Sequence, residues 1–207
     1  MMNSTLQKSQ WLPVMEQFYS IQGEGFFQGS AAVFIRLGGC DVGCVWCDVK
    51  DSWDADAHKR YSVEEIVSSA NKFPSELVII TGGEPLMHDL RLITAQLKSL
   101  GKKINLETSG THPLTGEWDW ICFSPKKFKA PLPEIYNLAN ELKVIVFNQS
   151  DFEFAIKNAR MVLPSCKLYL QPEWSNAEKM TPLIIDFVKH NPNWEISLQI
   201  HKYMNIE

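Results

Sequence analysis

The chain has 207 residues, with 20 Lys and Arg against 24 Asp and Glu, so its formal charge is −4, and 45% of its residues are hydrophobic. That length fits one domain of about 100–200 residues, and such a composition fills a core, which excludes wholesale disorder. The mild acidity argues against broad nucleic-acid or membrane-surface binding, which takes clustered Lys and Arg, and no stretch approaches the roughly 20 apolar residues of a membrane span.

Residues 1–14 read as a loosely held leader and 15–207 as a single domain. The opening MMNSTLQKSQWLP has no apolar signal-peptide core, which points to the cytoplasm. Short apolar, β-rich runs then recur at 32–37, 77–81, 104–107, 120–123, 142–147, 168–171 and 196–200. Several, such as LVII and KVIVF, are nearly continuous in hydrophobicity, as in strands buried on both faces. Helical patterns lie between them. Ser62 with Glu65 is a capping box opening a helix over 62–73. Leu90, Ile93, Leu97 and Leu100 recur at helical spacing before Gly101, a C-terminal stop. Further helices are expected over 134–141, 151–160 and 176–190.

Strands alternating with helices imply a parallel α/β sheet. A complete eight-fold barrel takes about 250 residues, so seven strands in this length suggest an incomplete, partial TIM-type barrel. An open doubly wound sheet is the other possibility. In both, the active site sits at the C-terminal strand ends.

The strongest local signal is GGCDVGCVWCD. Cys40, Cys44 and Cys47 follow C-x3-C-x2-C on a loop directly after the first strong strand. An odd total of five cysteines, three of them crowded together, suits a metal site in a reducing compartment rather than a disulfide framework. Three thiolates on a four-iron cube leave one iron free for another ligand, whereas a closed cluster or structural zinc normally takes four. Zinc remains the alternative, with one of His58, His88, His112, His190 or His201 as fourth ligand. Cys122 and Cys166 sit in or beside apolar strand patterns and read as core or surface thiols.

This cysteine spacing, with Trp46 before the last cysteine, resembles the radical S-adenosylmethionine superfamily. Gly82-Gly83-Glu84-Pro85, one βα unit later, resembles its glycine-rich motif. The stretches FYSIQGEGFFQGSAAVFIRLGGC, VIITGGEPLMHDL, INLETSGTH, FSPK and SLQIHKYMNIE, spanning nearly the whole chain, resemble the 7-carboxy-7-deazaguanine synthase family of queuosine and 7-deazapurine biosynthesis.

The resemblance implies a lyase that turns 6-carboxy-5,6,7,8-tetrahydropterin into 7-carboxy-7-deazaguanine and ammonia. It implies a 4Fe–4S cluster on Cys40, Cys44 and Cys47, S-adenosylmethionine, a homodimer, and an electron donor such as flavodoxin or ferredoxin. Substrate contacts fall on Ile21, Gln22, Gly23, Glu24, Arg36 and Thr81. Cofactor contacts fall on Trp46, Asp48, Gly83, Glu84, Thr108, Ser109, Ser124, Pro125, Lys126 and Gln171. Gln199, His201 and Lys202 match the family's closing motif without an assigned role.

One position departs from the pattern. Where the family carries a threonine or serine for magnesium, this chain has Val49, which offers no oxygen. A weakened, not abolished, magnesium dependence is therefore expected, with Asp48 or Asp51 as stand-in carboxylates. Two other readings compete with this enzyme. One is an activating enzyme that places a glycyl radical on a protein, and the other is a non-catalytic zinc module.

Overall fold

The computed structural model describes residues 10–207. Nine strands form one sheet: β1 (Trp11–Ile21), β2 (Ala31–Leu37), β3 (Arg60–Ser62), β4 (Leu77–Gly82), β5 (Lys103–Thr108), β6 (Trp120–Phe123), β7 (Glu141–Val146), β8 (Lys167–Pro172) and β9 (Trp194–Ile196). Their order is β3-β1-β2-β4-β5-β6-β7-β8-β9. From β2 to β9 every neighbouring pair is parallel, while β1 runs antiparallel to both its neighbours. The helices are α1 (Val63–Ala70), α2 (Arg91–Ser99), α3 (Ser150–Ala159), α4 (Ala177–His190) and α5 (Ile200–Met204). Among the described residues, no helix is long and apolar enough to cross a membrane.

Strand alternation decides what each face does. Val33, Ile35 and Leu37 of β2, Val78 and Ile80 of β4, Ile104 and Leu106 of β5, and Leu142, Val144 and Val146 of β7 enter one core. There they meet Ile66, Ile93, Leu97, Ala155 and Ile184 of α1 to α4. Each such Leu or Ile contributes about 1.5–3 kcal/mol by leaving water. The intervening residues, Arg36, Thr81, Glu107, Cys122, Lys143 and Gln171, face a cavity instead. The apolar runs that look buried on both faces thus hide a polar face, carried by single residues in otherwise apolar strands. Slipping one strand by a residue would exchange the two faces.

The local signals at helix ends hold. Ser62 Oγ accepts from the Glu65 N–H at 3.3 Å while Glu65 Oε2 accepts from the Ser62 N–H at 2.8 Å. Gly101, at φ +73°, ends α2 by letting the Lys102 N–H reach the Leu97 carbonyl at 3.1 Å.

Three expectations need correction. Residues 1–9 of the expected leader lie outside the described residues, but β1 begins at Trp11, with Leu12 and Val14 buried in the core. Pro13 disguises this strand, since proline donates no ladder hydrogen bond. The expected helix over 134–141 is a short 3-10 turn, Pro133–Asn137, and Glu141 already belongs to β7. The strand expected over 196–200 ends at Ile196, and Ile200 opens α5. The alternation in ISLQI misled there, because Ser197 is turned inward beside Gln171. β3 and α5, of three and five residues, are too short to show a period.

Candidate functional site

A cavity of about 370 Å³ opens over the C-terminal strand ends, within the size range of small-molecule sites. Of the nineteen residues singled out by the sequence, all but Glu84 and Pro125 line it.

One end is the loop after β2. Cys40, Cys44 and Cys47 all line the cavity, and none is in a disulfide. Backbone contacts fix this loop. The Gly39 N–H donates to the Ser52 carbonyl at 2.7 Å, Cys40 N–H to Trp53 at 3.1 Å and Cys47 N–H to Cys44 at 3.0 Å. Gly39 and Gly43, at φ +106° and +76°, make the turns that aim the thiols inward. Burial pushes Cys44 up to about 11 and Cys40 in the same direction. Metal binding would supply the ionisation that the protein alone does not favour.

Three thiols on one loop match three corners of an iron–sulfur cluster in number and softness and are one donor short of the four a structural zinc site takes. Among the described residues no three His, Cys, Asp or Glu side chains already close around one point. The histidines are engaged elsewhere. His58 meets the Asp51 carbonyl at 2.8 Å, His88 the Gly38 carbonyl at 2.8 Å, His112 the Asp41 carboxylate at 3.1 Å and His190 the Asp186 carbonyl at 2.8 Å. His201 packs against Gly23.

The glycine pair after β4 permits close approach. A Cβ on Gly83 would stand 2.3 Å from the Gly39 oxygen and 2.6 Å from the Cys40 Cβ. Instead, the Glu84 N–H donates to that oxygen at 2.8 Å. The Glu84 carboxylate turns away from the cavity and is 1% exposed. Its Oε1 accepts from Thr108 Oγ1 at 2.6 Å and the Leu86 N–H at 3.1 Å, and its Oε2 from the Ser109 N–H at 2.8 Å and from the Ser109 hydroxyl. All its acceptor positions are filled. Glu84 therefore holds Thr108 and Ser109 in place and leaves ligand contact to them. Lys126 donates to the Ser124 carbonyl and hydroxyl at 2.6 and 2.7 Å on the same side.

The other end is built by the loop after β1. Glu24 forms a buried ion pair with Lys143 of β7 and accepts from Gln199 Nε2 at 2.9 Å. Burial alone would raise its carboxyl, but the Lys143 ammonium and these hydrogen bonds outweigh that and hold it at about 2. Burial likewise opposes the charge on Lys143, yet its acidic neighbours lift it well above the usual lysine range. Gln22 Nε2 and Thr81 Oγ1 both donate to Glu107, at 3.0 and 2.8 Å. Arg36 Nε donates to Glu16 Oε1 at 2.5 Å, and its guanidinium borders the cavity. The Ile200 N–H donates to the Gly23 carbonyl at 3.1 Å, and Lys202 Nζ reaches Asp48 Oδ2 at 2.7 Å, so α5 ties the two ends together.

Sequence reasoning missed Glu107 and Lys143. Each is a charge set inside a mostly apolar strand, and that was the available signal. His112 and Asp89, a conceivable acid–base pair, do not meet, because Asp89 is taken by Arg91. The corner around Val49 does not fit magnesium. Val49 brings no side-chain oxygen, Asp48 is held by Lys202 and by Gln199 at 3.3 Å, and among the described residues no carboxylate cluster replaces them.

The fold and the three-thiol cavity define a radical enzyme, and the comparisons agree. The model of the radical SAM superfamily matches residues 34–123, from β2 through β6. The chain is 52% identical over 201 residues to the 7-carboxy-7-deazaguanine synthase of Flavobacterium psychrophilum, covering 97% of this chain and 95% of that one. It is 49% identical over 194 residues to that of Synechocystis, covering 94% and 93%. Among solved structures, the crystal structure of QueE from Escherichia coli superposes with a TM-score of 0.82 at 32% identity, covering 91% and 93%. The chain belongs to the 7-carboxy-7-deazaguanine synthase family.

Proposed function

We propose that this chain is a radical S-adenosylmethionine carbon–nitrogen lyase that converts 6-carboxy-5,6,7,8-tetrahydropterin to 7-carboxy-7-deazaguanine and ammonia. The observation that carries this is one cavity with a three-cysteine loop at one end and Arg36, Gln22, Thr81 and Glu107 at the other. Cys40, Cys44 and Cys47 would hold the 4Fe–4S cluster. Gly83, Thr108, Ser109, Ser124, Lys126 and Gln171 would seat S-adenosylmethionine, with Trp46 and Asp48 beside the last cysteine. When bound, the two together would supply the one-electron chemistry needed to remove a hydrogen atom from the substrate.

The chain's own residues select and orient. The Nε of Arg36 is engaged by Glu16, which leaves its terminal N–H groups as a fork for the substrate carboxylate. Gln22, Gly23 and Glu24 present amide and carboxylate groups to the pterin edge beside Ile21. Thr81 and Glu107 face the same space. α5 covers the site and limits water, with Trp174 lining the same wall.

No step is assigned to magnesium, and its dependence is expected to be weak. We read the sheet as an incomplete barrel because loops from distant strands meet across it: the Gly25 N–H donates to Ser197 Oγ at 3.0 Å, and the Phe26 N–H to Glu141 of β7 at 3.1 Å. A cytoplasmic homodimer reduced by flavodoxin or ferredoxin completes the proposal. A glycyl-radical activase is disfavoured, since this cavity suits a small molecule better than a protein loop.

The test is an anaerobic assay of iron-reconstituted protein with dithionite, S-adenosylmethionine and the carboxylated pterin. Deazapurine in excess over cofactor consumed is the expected result. Cleavage of S-adenosylmethionine without any deazapurine would sink the substrate assignment and leave the cluster standing.

A further inference from the structure

Behind the substrate end lies a second, smaller space of about 10 Å³, whose polar side is formed by Gln22, Glu24, Asn105, Glu107 and Glu141. That is about the room taken by one water-sized particle. Two independent observations concern what belongs there. Asn105 is 5% exposed, and among the described residues its Oδ1 is the one buried side-chain nitrogen or oxygen without a hydrogen-bond partner. A buried acceptor left unpaired is costly and rare in folded proteins.

The second observation is charge. Glu24, Glu107 and Glu141 share a single nearby ammonium, Lys143, whose ion pair is with Glu24. Among the described residues, Glu107 and Glu141 have no cationic side chain within ion-pair distance. Their partners are neutral donors: Gln22 and Thr81 for Glu107, the Phe26 N–H and Trp120 Nε1 for Glu141. Glu141 is 3% exposed and Glu107 is half-buried, and a buried charge left uncompensated strongly destabilises a fold.

The space therefore offers oxygens and negative charge. A water molecule would satisfy Asn105 but leave the charge as it stands. A divalent ion is poorly matched, since no three acidic side chains converge on one point. We propose that this space binds one dehydrated monovalent cation of potassium or ammonium size, held by Asn105 Oδ1 and balanced by Glu107 and Glu141. Such an ion braces Gln22 and Glu107 from behind, at the face where they meet substrate. The proposal stands on the folded chain alone and does not depend on the reaction assigned above.

The test is thermal unfolding of the full chain in potassium, ammonium, lithium and tetramethylammonium chloride at equal ionic strength. Potassium and ammonium should raise the midpoint by about 2–4 °C over tetramethylammonium. The difference should vanish in Asn105→Leu and grow in Asn105→Asp, which adds charge at the same place. If Asn105→Leu does not fold, the Asn105→Asp arm decides alone. Crystals soaked in rubidium chloride should show anomalous scattering in the space. Equal midpoints in all four salts, an unaltered difference in Asn105→Asp, or a water without anomalous signal would each overturn the proposal. A response to ammonium but not potassium would assign the space to ammonium.

Discussion

The two ends of the cavity are built on opposite plans. At the cysteine end, backbone hydrogen bonds and glycine turns fix a loop whose three thiols are free of disulfides. At the substrate end, side chains from β1, β4, β5, β7 and α5 lock one another through buried charge, as Glu24, Lys143 and Gln199 show. The first end waits for a ligand to complete it, whereas the second is largely satisfied before any ligand arrives. Damage to the first should therefore remove chemistry and spare the fold, and damage to the second should do the reverse.

The largest expected effect tests the first half of that contrast. Cys44→Ser should bring product formation to the detection limit and lower iron content, while the urea midpoint of the apoprotein stays close to wild type. A large loss of apoprotein stability would break the contrast. Lys143→Met tests the second half. It strands Glu24 among other carboxylates and should destabilise by about 3–5 kcal/mol in urea unfolding. Adding Glu24→Gln should return much of that loss, and a double variant no better than the single would show that the pair is not the cause.

Gly83→Ala lies between the two plans, because its Cβ would collide with the Gly39 carbonyl beneath the cysteine loop. A cost of about 1–3 kcal/mol is expected, together with weaker iron loading. A smaller effect follows from pH. The carboxyl of Glu24 is held low when folded, so its contribution is present above the unfolded value near 4.5 and fades as pH falls toward about 2. The stability advantage of wild type over Glu24→Gln should shrink across that window and stay flat from pH 5 to 7. The smallest effect belongs to Val49. Wild type should keep part of its rate after chelation of magnesium, and Val49→Thr should steepen the dependence. A full collapse in wild type, restored only by added metal, would refute the misfit described for that corner.

The same contrast explains what could be read from the chain. The cysteine end is local: Cys40 to Cys47 lie within eight residues, and Gly82-Gly83 follows its strand directly, so spacing alone announced the site. The substrate end is assembled from residues 22, 24, 81, 107, 143 and 199, which no local pattern links. The IQGEG stretch pointed to this end only through resemblance, and Glu107 and Lys143 did not emerge at all. The parallel strands and α1 to α4 were legible because each repeats an apolar period. β1 was not, since Pro13 interrupts its pattern. Glu84 was expected to be a ligand contact alongside Gly83, yet its carboxylate is turned inward to Thr108 and Ser109.

α5 touches both ends at once, through Gln199 and Ile200 to the loop at Gly23-Glu24 and through Lys202 to Asp48. Anything that displaces this short helix therefore acts on both ends together, so a change at one end is felt at the other without any contact running along the cavity between them. Should ligands at the two ends be coupled through it, the coupling is reciprocal: whatever factor one adds to retention of the other is returned in equal measure.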